Sequence, residues 1–330
     1  MNEGRRYAYA TSLAALILLG LIFYQYPATQ LAYAHTFSGN ESAAFIATVG
    51  VIRTELRLIN STIATNASLA NEHANIAAEH LSKNDTSELA ERNQRIGTDL
   101  PQYLSDLQNM TAKLSPSNMS GISAVKQKVS DTDALLGEAL TARIEPTQLR
   151  NATVYGWAVA DLLNETLERY RETLGVGGEN SSSSPSATAA APGGNESNNT
   201  TSAIVSYADY QSTLGLVNMT KETLNQAKSL ALGSSSSDSS TNSTQSNSSS
   251  AGTATTMNNT TASSNAAAKI DSELDQLKSL IDNKSNYEQV ATFVYNTIYP
   301  DLNSAFGLAL ENVDATKAIE EARSGGEEKE

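Results

Sequence analysis

An all-α protein, an antiparallel four-helix bundle followed by linker-tethered additional helices, is the fold class this sequence predicts. Apolar residues recur at alternating steps of four and three through most of the chain, the spacing that keeps one stripe on one helix face. No segment alternates apolar and polar residues as a half-buried strand would. Turn residues fall where one stripe stops and the next begins, so the segments are short-connected and fold back on one another.

The first stripe runs through Phe45, Val49, Ile52, Leu56, Ile59 and Ile63. Continued at the same rhythm it reaches Asn66, Ala70, His73, Ala77 and His80, which predicts one helix across 45–80 with both imidazoles turned inward. Asn84 to Ser87 supply a turn and an N-cap. The second stripe, Leu89, Ile96, Leu100, Tyr103, Leu107, Met110 and Leu114, is interrupted at Asn93, and Pro101 predicts a kink or restart because it lacks an N–H. SPSNMSG separates it from a third stripe, Ile122, Val125, Val129, Leu136 and Leu140, which Pro146 ends. Ala160, Leu163, Leu167, Tyr170 and Leu174 mark the fourth bundle helix. Beyond it come Tyr207, Tyr210, Leu214, Val217 and Leu224, then Ile270, Leu274, Leu277 and Ile281, then a last helix across 290–319 bent near Pro300.

Two low-complexity stretches, 175–202 and 233–265, hold almost nothing that could bury apolar area, so ordering them would go uncompensated. They divide the chain into a bundle at 35–174, a helix at 203–232, a helical region at 266–323 and an acidic tail at 324–330.

Residues 1–34 read as an export signal. Arg5 and Arg6 are basic, TSLAALILLGLIFY is apolar, and Ala32-Tyr33-Ala34 is a small-x-small cleavage triplet. The alternative is an uncleaved anchor spanning 7–26, the segment's only route to a membrane. On either reading the rest of the chain is extracytoplasmic, secreted or held at the cell surface. The Asn-x-Ser/Thr pattern agrees: it occurs at 18 of 28 asparagines, and with Ser and Thr at 73 of 330 positions chance would give about 6. Outside the linkers the expected glycan acceptors are Asn40, Asn60, Asn84, Asn109, Asn118, Asn151, Asn164, Asn218 and Asn283. Asn66 has the pattern too, but the stripe turns it inward, and it is expected to stay bare unless the helix breaks there.

There is no cysteine, which excludes disulfides, thiol catalysis and Cys-type zinc sites. With a net charge of −14 and no cluster of Lys and Arg, nucleic acid is excluded as a partner.

The segments AHTFSGNES, LANEHA and ELAERNQR resemble exported helical proteins of ammonia-oxidising archaea, over residues 31–114. The resemblance implies a pseudo-periplasmic location and surface glycans, in organisms whose energy metabolism depends on copper enzymes. It implies no catalytic residue.

No phosphate loop, HExxH, EF-hand or Gly-x-Ser-x-Gly elbow is present, and no histidine neighbours a nucleophile motif. The expectation is a non-enzymatic binding or scaffold protein without a cofactor, its partner a cell-envelope protein or glycan, with a homo-oligomer also open. The alternative is a copper carrier or oxidase accessory. Cleavage after Ala34 would leave His35 first, with its amine and imidazole together, and His73 or His80 as a further ligand. A straight helix from 41 to 73 would span about 48 Å and a six-residue arm only about 20 Å. That site closes only if the first helix breaks, at Gly50 or around NSTIATN, or if two molecules pair. The simpler reading gives each inward imidazole a hydrogen bond to a neighbouring Asn or carboxylate. Tyr207, Tyr210, Tyr287, Tyr295 and Tyr299 read as packing residues with a wet hydroxyl, or as a carbohydrate-stacking face.

Overall fold

The computed structural model describes residues 38–115, 117–176, 203–234 and 255–310. The leader at 1–34, His35 and the tail lie outside the described residues. All the regular structure among the described residues is helical.

Helix α1 (Gly39–Thr62) opens on a capping box, in which Ser38 accepts from the Glu41 N–H and Glu41 accepts from the Ser38 N–H. Its predicted stripe is buried throughout, and Ala43, Ile46, Ala47 and Val51 are buried as well. A helix apolar over most of its circumference belongs in the middle. Accordingly α1 packs against four later helices.

The predicted single helix over 45–80 is broken. After Thr62 the chain turns, Asn66 takes an extended conformation and caps α2 (Ala67–Glu79) by accepting from the Leu69 N–H, and α2 folds back on α1. The device is local: Asn66 leaves helical geometry and offers its Oδ1 to the Leu69 N–H, and Thr65 donates its hydroxyl to the Thr62 carbonyl in the turn before it.

The second segment is also two helices, α3 (Lys83–Arg92) and α4 (Gln94–Ala112). The restart falls at Asn93, not at Pro101. Asn93 ends α3 and caps α4 through the Ile96 N–H, whereas α4 runs on through Pro101. Helix α5 (Met119–Arg143) is capped by Asn118, and α6 (Ala152–Thr173) by Asn151 after a 3-10 turn at Gln148–Arg150.

Helix α7 (Tyr207–Ser234) lies along α6 and α1, and α8 (Thr255–Asp282) begins inside the stretch read as a linker and packs on α7. The last predicted helix, 290–319, is divided over its described part, and 311–319 lie outside the described residues. It comprises α9 (Tyr287–Phe293), a π turn at Val294–Ile298 and α10 (Tyr299–Phe306), which Gly307 ends. Pro300 has no N–H for the carbonyl four residues back, and the wide turn sits just before it.

Two apolar cores meet along α6. Val154 and Ala158 join the core of α1–α5, while Val159, Leu163, Leu167 and Tyr170 join the core of α7–α10. Leu162 carries a bridge between them, packing with Ala47, Val51, Leu216 and Met219. Among the described residues no helix is long and apolar enough to cross a membrane.

Candidate functional site

Charged and polar side chains are drawn inside where α1, α2, α6 and α7 meet. The break at Asn66 produces this junction, because it lays α2 against α1 and brings His73 beside Glu55. Nδ1 of His73 is hydrogen-bonded to Oε2 of Glu55 at 2.7 Å, and Nε2 lies 3.1 Å from Oε1 of Gln211 on α7. Both the His73 and Glu55 side chains are 0% exposed. Oε1 of Glu55 is buried and has no hydrogen-bond partner.

His80 ends α2 one layer away. Its Nε2 is 2.5 Å from Nη2 of Arg169 and 3.3 Å from Oε1 of Glu165, both on α6. Burial, reinforced by the Arg169 guanidinium, lowers the His80 pKa to about 4. The ring is therefore neutral at pH 7 and accepts from Arg169, so its contact with Glu165 is not an ion pair at that pH. Arg169 also donates to Glu165 at 3.1 Å, to Glu172 at 2.9 Å and to Asp209 of α7 at 3.4 Å. Burial pushes Glu165 up, against the pull of Arg169.

Apart from Oε1 of Glu55, the polar groups of this arrangement are directed at one another. Both nitrogens of His73 have partners, and Nε2 of His80 meets a guanidinium. Neither of two surface clefts reaches the junction. One, of about 210 Å³, lies at Arg53, Arg57, Asn60 and Lys126, and the other, of about 530 Å³, at Leu280, Glu288 and Phe293. Among the described residues no group of three or more His, Asp or Glu side chains is placed to hold a metal. His35 lies outside them, so its distance from either ring is not part of the structure.

A second ionic cluster joins α8 to α10. The ammonium of Lys269 is 3.2 Å from Glu273 and 2.6 Å from Asp301, at ion-pair distance but outside hydrogen-bond alignment with either. Burial, with the Asp301 carboxylate adding to it, raises the Glu273 pKa to about 7. Periodicity could not find Glu55, Gln211, Arg169 or Glu273, since each is defined by a partner on another helix.

The five tyrosines are not one face. Tyr287 and Tyr299 are buried, and Tyr295 meets Tyr299 edge-on at 5.3 Å. Tyr299 donates to Asn164 at 2.6 Å and lies 3.2 Å from the Ala160 carbonyl. Tyr210 of α7 packs against the same core half-buried, while Tyr207 beside it is exposed.

The glycan-acceptor pattern maps onto the surface. Asn40, Asn60, Asn66, Asn84, Asn109, Asn118, Asn151, Asn164, Asn218 and Asn283 are all exposed. The break at Asn66 is what turns that residue outward. Of the asparagines without the pattern, Asn75, Asn225, Asn265 and Asn296 are exposed, but Asn71, Asn93, Asn286 and Asn303 are half-buried. No family model matches this chain, and no curated protein or solved structure does either.

Proposed function

We propose that this chain is an exported, N-glycosylated, non-enzymatic scaffold or binding protein of the cell envelope, built on an antiparallel helical bundle. The observation that carries the reading is the exposure of all ten acceptor asparagines whose burial is described, against half of those lacking the pattern. Asparagines selected only for polarity would divide as the second group does. A chain that bears glycans needs each acceptor at the surface, and needs the hydroxyl two residues on, which is the pattern seen.

The non-enzymatic part rests on the junction, whose polar groups are directed at one another and not at a cleft. A partner is then met by the outer surface, as a cell-envelope protein, a glycan or a second copy of the chain. The test is glycopeptide mass spectrometry of the protein from its native source, with N-terminal sequencing to locate the start. Glycans on most of the ten asparagines are expected. Every acceptor bare would overturn the reading.

A further inference from the structure

Resting on that reading, we propose that the acceptor sites fall into two classes, one glycosylated only before the helices form and one still open on the folded chain. In an α-helix residues two apart point to nearly opposite sides. An acceptor inside an amphipathic helix therefore shows its asparagine to solvent and hides its hydroxyl.

Five sites do this. Asn40, Asn60, Asn109, Asn164 and Asn218 are exposed, while Ser42, Thr62, Thr111, Thr166 and Thr220 are 1%, 8%, 2%, 0% and 0% exposed. Four of those hydroxyls are also engaged, donating to the carbonyls of Leu58, Leu107, Leu162 and Leu216 at 2.6–2.8 Å. Asn164 is further held through its Oδ1 by Tyr299. The requirement for a hydroxyl at the second position means that a transferase reads both side chains together. At these five sites the folded helix sets the two on opposite sides.

Asn66 and Asn118 are the contrary case. Each is an N-cap outside helical geometry, with φ and ψ of −146° and 90° for Asn66 and −88° and 81° for Asn118. Ser68 and Ser120 are exposed like their asparagines. Each cap uses only the Oδ1 atom, Asn66 accepting from the Leu69 N–H and Asn118 from the Gly121 N–H and the Ser120 hydroxyl, and Nδ2 is left to react; the Ser120 bond holds that hydroxyl on the same side as its asparagine. Asn84, Asn151 and Asn283 stand between the classes, with half-buried Thr86, Thr153 and Ser285.

The reaction is the same at every site. Nδ2 of the asparagine attacks the anomeric carbon of an oligosaccharide carried on a polyprenyl phosphate or pyrophosphate. The bond from that carbon to the phosphate oxygen breaks as the nitrogen–carbon bond forms. The lipid phosphate leaves with the bonding electrons, and one amide proton passes to a base on the transferase. Only access differs.

The experiment uses the full chain made by cell-free translation. One arm has an oligosaccharyltransferase and its lipid-linked donor present during synthesis, and the other adds both after folding. Occupancy is then read site by site as glycopeptides. Asn66 and Asn118 are expected to be modified in both arms. At Asn40, Asn60, Asn109, Asn164 and Asn218, occupancy in the second arm is expected to fall at least about tenfold, the ratio that about 1.4 kcal/mol of local opening would impose. Equal occupancy of these five in the two arms overturns the division, as does their failure to react during synthesis. A native protein bare at every site would overturn the glycoprotein reading and leave the contrast between the arms to be read separately.

Discussion

At the junction of α1, α2, α6 and α7 the cation is inside with the acids, Arg169 being 13% exposed among Glu165, Glu172 and Asp209. At the contact of α8 with α10 the cation stands outside, Lys269 being 60% exposed beside a Glu273 that is 4% exposed. A buried guanidinium offers several fixed donors, so it reaches three carboxylates at once. A solvated ammonium reaches two carboxylates but aligns with neither, and the deeper one holds its proton more tightly. Burial raises Glu165 and Glu172 in the first cluster as it raises Glu273 in the second, but the cation that pulls the first two back down is itself buried, whereas Lys269 stands in solvent.

The largest effect is expected where a pair is wholly desolvated. Glu55→Ala leaves His73 buried with its Nδ1 unsatisfied and should destabilise by about 3–5 kcal/mol, measured by urea denaturation at pH 7. Replacing both partners, as Glu55→Met with His73→Leu, removes the desolvation penalty along with the pair and should restore most of that loss. A double variant as weak as Glu55→Ala would mean that the paired side chains themselves hold the junction and that Met and Leu do not replace them.

The next effect separates the two clusters by pH. His80 has a folded pKa near 4, below its ordinary 6.5, so the folded state resists its protonation. Its contribution is complete above 6.5 and is lost as pH falls through 4, up to about 3 kcal/mol in all. His80→Gln should flatten that acid limb. An unchanged slope between pH 6.5 and 4 would show that the ring is solvated in the folded protein.

Glu273 has the opposite sign. Its folded pKa of about 7 lies above the ordinary 4.5, so its favourable contribution is complete below 4.5 and is lost as pH rises through 7. Glu273→Gln mimics the protonated form and should stabilise the protein by about 2 kcal/mol at pH 8, with little change at pH 4. Asp161, which burial pushes up to about 6, shares this sign. In the wild type these slopes oppose that of His80, so a flat profile between pH 4 and 7 conceals two steep ones. The single variants should each tilt it, in opposite directions.

What the stripes made legible is the direction each side chain faces. Phe45 to Ile63 lie in the core as their spacing requires, and His73 points inward as predicted. The exposure of the acceptor asparagines follows from the same logic, since most stand off the stripe. What the stripes concealed is where a helix ends. The rhythm continues unbroken through Asn66, yet an asparagine at that position can serve as a cap as readily as a helical residue. The partner of His73 was hidden for a related reason. Glu55 belongs to the same predicted helix, and only the reversal of α2 brings the two together. Arg169 and Gln211 come from helices whose crossing is set by packing, which no local pattern encodes.

The smallest effect tests how α10 is held against α6, beside the cluster of Lys269, Glu273 and Asp301. Gly307 ends α10 in the left-handed region at φ 64°, and a Cβ built there meets nothing within 4 Å. Gly307→Ala should therefore cost only the conformational penalty, about 1 kcal/mol, and Gly307→Asn less, because asparagine tolerates that region. Gly156 of α6 is the steric counterpart, since a Cβ there would lie 2.9 Å from Phe306. Gly156→Ala gains about 1 kcal/mol of helix propensity but must displace the ring, so its net cost measures how firmly α10 is seated. If Gly156→Ala is neutral or stabilising while Gly307→Ala costs its expected amount, Phe306 yields easily and α10 rests on α6 without being locked to it. If both destabilise, and hydrogen exchange speeds up in α10 alone, the C-terminal segment opens as a unit while the junction around His73 stays closed. Acceleration spread equally over α1 and α2 would show that the two clusters unfold together, and would remove the ground for treating them as separate devices.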